Sequence, residues 1–131
     1  MRRQTVDVPG IYAPAGDYSH AIVVSGGRTV YLSGVVGKRP DGSVPISIEE
    51  QAELAFQNLA AVMAAAGGSL EDIVRTNIYV GADFSEHAAS LRAIRARYLQ
   101  PAFPVSTLVR VAGFAGPEYL FEIEATAVLP D

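Results

Sequence analysis

"PEYLFEIEATAVLP", Pro117–Pro130, closes the chain. Read with a period of two, it puts Leu120, Glu122, Glu124 and Thr126 on one face, and Tyr119, Phe121, Ile123, Ala125 and Ala127 on the other. A strand with one apolar face and one face holding two acids belongs to a sheet covered on one side. Glu122 and Glu124 share a face, so their side chains lie within roughly 7 Å of each other. On a half-buried face a carboxylate is costly unless it is paired or hydrogen-bonded. Two roles fit the pattern. The acids are structural, satisfied by arginines, with Arg110 on the preceding strand as a partner across a hairpin. Alternatively, one of them orients water or shuttles a proton.

Outward from this strand the chain reads β-β-α-β-α-β-β. "HAIVVSGGRTVYLSGVVG" holds two β-rich runs around Ser25-Gly26-Gly27, a hairpin signal. Pro40-Asp41-Gly42 marks a turn. In "SIEEQAELAFQNLAAVMAAAGG", Ser47 and Glu50 have capping-box spacing. Ala52, Ala55, Phe56, Leu59, Val62, Met63 and Ala66 then recur at helical spacing, and Gly67-Gly68 ends the helix. "SLEDIV" is a short turn of helix capped by Ser69. "VRTNIYV" alternates, with Val74, Thr76, Ile78 and Val80 on one face. "SEHAASLRAIRARYL" is a second helix with Ala88, Leu91, Ile94 and Tyr98 as its apolar line, stopped by Pro101 and Pro104. "VSTLVRVAGF" and "EYLFEIEATAV" are the last strands. Two amphipathic helices cover one face of a single sheet. The other face, carrying Leu108 and Leu120, is expected to meet another subunit.

Composition narrows the function. The chain has 131 residues, enough for a single domain over 1–131 with one core. Half the residues are hydrophobic and 18% are charged, which is apolar for so small a domain and points to self-association. No apolar run is long enough to span a membrane. The two arginines of "MRRQTVDVPG" have no apolar segment behind them, so no signal peptide is read there. The chain has no cysteine, which excludes thiolate chemistry and the common zinc sites and fits a cytoplasmic address. Two histidines, His20 and His87, are too few for a histidine-based metal site. A net charge of −4 disfavours nucleic acid as a partner.

Several residues carry competing readings. Tyr18 is an aromatic in a loop before the first strand, a packing residue or a ligand contact. Ser33-Gly34 follows an apolar strand. Ser33 offers a hydroxyl at a strand end, and Gly34 permits close backbone approach. "SGVVG" is not a phosphate loop, because it lacks the Gly-Lys-Ser/Thr ending and no helix starts there. Arg92 and Arg95 lie near one side of the second helix, with Arg97 well round from them as a solvated residue. Without an aromatic platform these arginines do not make a nucleic-acid surface. Neither histidine has an evident acid partner for a Ser-His-Asp array.

Taken in order, "APAGDYSHAI", "VYLSGVVG", "EEQAELAFQNLAAVMAAAGGSLEDIVRTNIYV" and "FEIEATAV" resemble the signatures of the Rid family, also called YjgF/YER057c/UK114. The resemblance spans nearly the whole chain. It implies an α+β fold similar to bacillus chorismate mutase: a single mixed β-sheet with two helices on one face. It also implies a homotrimer with small-molecule clefts between subunits. The implied activity is hydrolytic deamination of reactive enamines and imines such as 2-aminoacrylate, with no cofactor and no metal. The older endoribonuclease and translation-inhibitor labels of the family sit poorly with the net negative charge.

Residue by residue, the resemblance makes Tyr18 the cleft tyrosine, Ser33 and Gly34 the first residues of an SGQ motif whose glutamine is Val35 here, and Glu122 the water-orienting catalytic glutamate. The family's carboxylate-binding arginine falls in Pro104-Val105-Ser106-Thr107, where this chain has Ser106. A serine hydroxyl does not replace a bidentate guanidinium. The expectation is therefore a divergent member with weak or no activity on simple 2-imino acids. Ser106, Thr107, Ser33 and backbone groups would be its polar contacts, and Arg92 would bring a cation from the second helix. The competing expectation is a non-catalytic trimer that binds a metabolite as sensor or stabiliser.

Overall fold

The computed structural model describes residues 1–14 and 16–131. Its elements are β1 (Arg2–Thr5), β2 (Ile22–Ser25), β3 (Arg28–Val36), α1 (Ile48–Ala65), β4 (Ile73–Val80), α2 (Ala88–Leu99), β5 (Val105–Arg110) and β6 (Phe121–Leu129). Short 3-10 turns at Leu70–Asp72 and Phe84–Glu86 lead into β4 and α2. Among the described residues, no helix is long and apolar enough to cross a membrane.

The expected mixed sheet has the order β3-β6-β4-β5. β6 runs antiparallel to both β3 and β4, and β4 runs parallel to β5. A parallel pair needs a crossover, and α2 supplies it. β1 was not anticipated; it pairs with β2 as a separate two-stranded ribbon. The expected hairpin between β2 and β3 is therefore corrected. Gly26 and Gly27 do take positive φ between the two strands. However, β3 gives its ladder to β6 from Arg28↔Leu129 onward, and the Gly27 N–H donates to Asp131 Oδ1 at 3.0 Å.

Both helices sit on one face. Ala52, Ala55, Phe56, Leu59 and Met63 of α1 join Leu91, Ile94 and Leu99 of α2 over Ile78, Val80, Phe121, Ile123, Ala125 and Ala127. Ser47 caps α1 by accepting from the Glu50 N–H at 3.1 Å, while the reciprocal capping box forms at Ser69 and Asp72. At the other end Gly67 takes φ +95° and the Gly68 N–H donates to the Met63 carbonyl at 2.9 Å, a Schellman closure. Val62, expected on the apolar line, is 42% exposed. In contrast, Gln51 is fully buried. Its amide nitrogen donates to the Pro45 and Glu118 carbonyls, each at 2.8 Å, and its oxygen accepts the Leu120 N–H at 2.7 Å.

The uncovered face is more polar than expected. Register puts Leu108 beside Ile78 on the helix side, and Leu108 and Leu120 both pack against the core. The open face instead presents Tyr31, Arg75, Asn77, Tyr79, Val109, Glu122 and Glu124, with Tyr31 83% exposed.

Candidate functional site

The two acids of β6 stand on the open face as read, but their surroundings differ. Glu124 is anchored. Asn77, its cross-strand neighbour, donates an amide N–H at 3.1 Å, and the Tyr79 hydroxyl donates at 2.5 Å from the diagonal position. The hydrogen bond to Glu124, then burial, hold the Tyr79 phenol above its ordinary range. The expected counter-ion Arg110 is ruled out by topology. β4 lies between β5 and β6, and Arg110 pairs in register with Val80 on the helix-side parity.

Glu122 has a different setting. Among the described residues it has no hydrogen-bond partner, and its carboxylate lies over the β3 bulge that contains Ser33 and Gly34. A Cβ on Gly34 would stand 2.1 Å from Glu122 Oε2. The glycine is what leaves room for the carboxylate to sit over the strand. The structure thus brings together three of the expected site residues: Ser33, Gly34 and Glu122.

A second group gathers on the other side of the sheet. Tyr18, Arg92 and Ser106 line a cleft of ≈ 630 Å³ between the 17–20 loop, α2 and β5. Its remaining wall is largely apolar, with Phe84, Ala88, Ala89 and Leu108 as the apolar floor over buried Ile78 and Phe121. The loop is fastened to β5 by the Ser19 N–H, which donates to the Pro104 carbonyl at 3.1 Å, and by the Ser19 hydroxyl, which donates to the Phe103 carbonyl at 2.7 Å. The Thr76 hydroxyl, fully buried, donates to Ser106 Oγ at 2.9 Å. That contact holds the Ser106 hydroxyl at the cleft with capacity for a further hydrogen bond to a group there.

Asp17 and Arg95 also belong here; the sequence places Arg95 near Arg92 on one side of the second helix but gives it no site role, and Asp17 is not singled out. Asp17 is only 4% exposed, and its Oδ2 accepts a hydrogen bond from Arg95. Arg92 Nε approaches the same oxygen at 3.5 Å. Among the described residues, Asp17 Oδ1 and Arg95 Nε are buried without a partner. The available signal was the i, i+3 spacing of Arg92 and Arg95 together with the acid beside Tyr18 in "GDYS".

Thr107 does not join this group. It is exposed, has open-face parity, and lines a smaller cleft of ≈ 290 Å³ with Tyr12, His20 and Arg75. Tyr18 and Ser106 border both clefts. His20 packs edge-on against Tyr12, ring centroids 5.1 Å apart, and its Nε2 is buried without a partner.

A family model described as Endoribonuclease L-PSP matches residues 10–129. A protein of the mite Dermatophagoides farinae named 2-iminobutanoate/2-iminopropanoate deaminase is 34% identical over 112 residues, 84% of each chain. The crystal structure of YyfB, a Rid-family protein of unknown function from Yersinia pestis, has a TM-score of 0.91 and 29% identity. It covers 98% of this chain, and all of that chain is matched. The crystal structure of Escherichia coli TdcF with bound serine has a TM-score of 0.72 and 28% identity over 93% of both chains. With the match running from residue 10 to residue 129, through β2 to β6 and both helices, the chain belongs to the endoribonuclease L-PSP family, that of the Rid or YjgF/YER057c/UK114 proteins.

Proposed function

We propose that copies of this chain form a homotrimer in the cytoplasm and hydrolyse a small reactive imine or enamine in clefts between subunits. Glu122 orients the attacking water. The observation that carries this reading is a carboxylate with no partner among the described residues, held over a glycine that makes room for it. Water adds to the imine carbon as Glu122 takes its proton and passes it to nitrogen. Glu122 then takes the carbinolamine hydroxyl proton and passes it to nitrogen, so that ammonia leaves as the carbonyl forms. Such a relay by a positioned carboxylate contributes about 10²–10⁴-fold to rate.

The need for a second copy follows from register. Glu122 pairs with Tyr79 and Ser106 with Thr76, residues three apart on β4 whose odd separation turns them to opposite faces. One chain does not put its glutamate and its cation-bearing cleft on the same side, so a neighbour's Glu122 must face this cleft. The deaminase name of the mite relative and the serine bound to TdcF support a small amino-acid-derived ligand. Ser106 in the position expected for arginine supports weak turnover of the smallest 2-imino acids. The same serine favours the alternative, a trimer that binds such a ligand without turning it over.

The test generates imines in situ from amino acids with an amino-acid oxidase and follows ammonia release. Faster release with wild type and not with Glu122→Ala is expected. Saturable binding with no product in any assay would establish the binding-only reading, and light scattering should give a particle of three chains.

A further inference from the structure

From the composition of the larger cleft we infer its ligand class: a monocarboxylate with a bulky apolar or aromatic body, its carboxylate seated on Arg92 and Arg95 of α2. This rests on the proposed imine chemistry and narrows its substrate.

The charges set the sign. Two guanidinium groups meet one carboxylate, Asp17, so the wall carries one uncompensated positive charge. Arg95 is fixed, its side chain 12% exposed and held by Asp17, and it lines the cleft. An anionic oxygen entering the cleft would meet a charge-assisted donor already oriented there. Arg92 is 60% exposed and only loosely engaged at 3.5 Å, so it is free to turn onto the same anion. Asp17 does two things: it orients Arg95, and it limits the seat to a single negative charge.

The floor sets the shape. Phe84, Ala88, Ala89 and Leu108 present apolar surface in the same cleft as the guanidinium groups. The volume of ≈ 630 Å³ lies within the roughly 300–1,000 Å³ typical of sites for drug-sized ligands. A three-carbon acid would satisfy the arginines and leave that floor wet. A branched or phenyl side chain would cover it, gaining affinity with each buried methylene. The remaining hydrogen-bonding capacity of the Ser106 hydroxyl then meets the group next to the carboxylate, an imine nitrogen or a carbonyl oxygen.

Calorimetric titration of the assembled protein with 2-oxo acids, stable oxygen analogues of the imines, tests this. Phenylpyruvate and 4-methyl-2-oxopentanoate are expected to bind at least ~10-fold more tightly than pyruvate, whereas the neutral amide of phenylpyruvate should bind weakly. Arg92→Gln, at an exposed position that leaves the fold intact, should cost about 10-fold or more for the acid and little for the amide. Asp17→Asn keeps an acceptor for Arg95 and removes the competing charge, so phenylpyruvate should bind several-fold more tightly. A merely structural Asp17 would give weaker binding instead. Equal affinity for pyruvate and phenylpyruvate, or an Arg92→Gln variant with unchanged acid affinity, overturns the inference. If phenylpyruvate binds as expected but the phenylalanine-derived imine is not hydrolysed, this seat stands and the hydrolytic reading falls.

Discussion

The two faces of the four-stranded sheet divide the charge of the candidate site between them. On the open face Glu122 and Glu124 stand among polar neighbours, one anchored by Asn77 and Tyr79 and the other unpartnered over Gly34. On the helix face Arg92 and Arg95 converge on buried Asp17 beside Ser106. A half-finished acid and a half-finished cationic seat lie back to back through one sheet. Such an arrangement makes chemical sense when a neighbour's open face closes over this chain's cleft.

The sharpest way to break that division is at its acids. Glu122→Gln should lower imine hydrolysis by about 100-fold or more, with the unfolding temperature unchanged, because the side chain anchors nothing. Glu124→Gln should show the reverse pattern, a small loss of stability with activity largely kept. Equal activity losses in the two variants, measured by ammonia release, would erase the distinction between them.

Two glycines near the end of β3 extend the comparison from side chains to backbone. Gly37 faces α1, where a Cβ would stand 2.3 Å from the Gln51 carbonyl oxygen and 2.6 Å from its Cα. Helix backbone does not yield, so Gly37→Ala should cost about 3 kcal/mol by urea denaturation, at the upper end of overpacking penalties. Gly34→Ala meets only the far end of Glu122. The carboxylate can swing aside, so stability should change by less than about 1 kcal/mol while hydrolysis falls with the displaced acid. A Gly34→Ala variant with full activity would show that the position of Glu122 over the bulge is unimportant.

How much of this was legible in the sequence depended on whether the signal was local. The α1 closure at Gly67, the Ser69 cap and the alternation of β6 are set by neighbours a few residues away, and all were readable. The partner of Glu124 was not. Arg110 was a reasonable guess for a hairpin, but strand order is decided by long-range packing, and β4 lies between β5 and β6. Leu108 was misplaced for a related reason, since the register of β5 against β4 decides which face it takes. Gln51 was invisible because a buried amide reads as surface until its three backbone partners are known. Asp17 and Arg95 are 78 residues apart, and only the loop fastened to β5 brings them together. Tyr18, Ser106 and Arg92 were named because the family resemblance pointed at them, and all three line one cleft. Thr107 came from the same segment, but alternation turns it to the other face.

The gentlest test concerns how firmly the wall of the helix-face cleft is held. Phe84, Ala88 and Ala89 form part of that wall, and His87 sits between them. Its Nδ1 donates to Glu49 Oε1 of α1 at 2.5 Å, Ser90 donates to the same oxygen at 3.0 Å, and Asp83 lies 3.8 Å from Nε2. The hydrogen bond to Glu49 raises the His87 imidazole above its ordinary value, and the same bond lowers the Glu49 carboxyl. A raised histidine contributes stability that is full below its unfolded value, about 6.5, and is lost as pH rises through the higher folded value. A lowered carboxyl contributes stability that is present above its unfolded value, about 4.3, and is lost as pH falls through the lower folded value. The tie between α1 and the cleft wall is therefore strongest in weak acid, between those two unfolded values, and loosens above neutrality. The pair is solvent-accessible and screened, so the effect should be small. Proton NMR titration should place the His87 midpoint above that of an ordinary histidine, and Glu49→Gln should bring it back. Ligand affinity in the helix-face cleft should weaken slightly with rising pH in wild type and stay flat in Glu49→Gln. The anchored pair Tyr79–Glu124 on the open face should show no change over the same range, because its phenol titrates far higher.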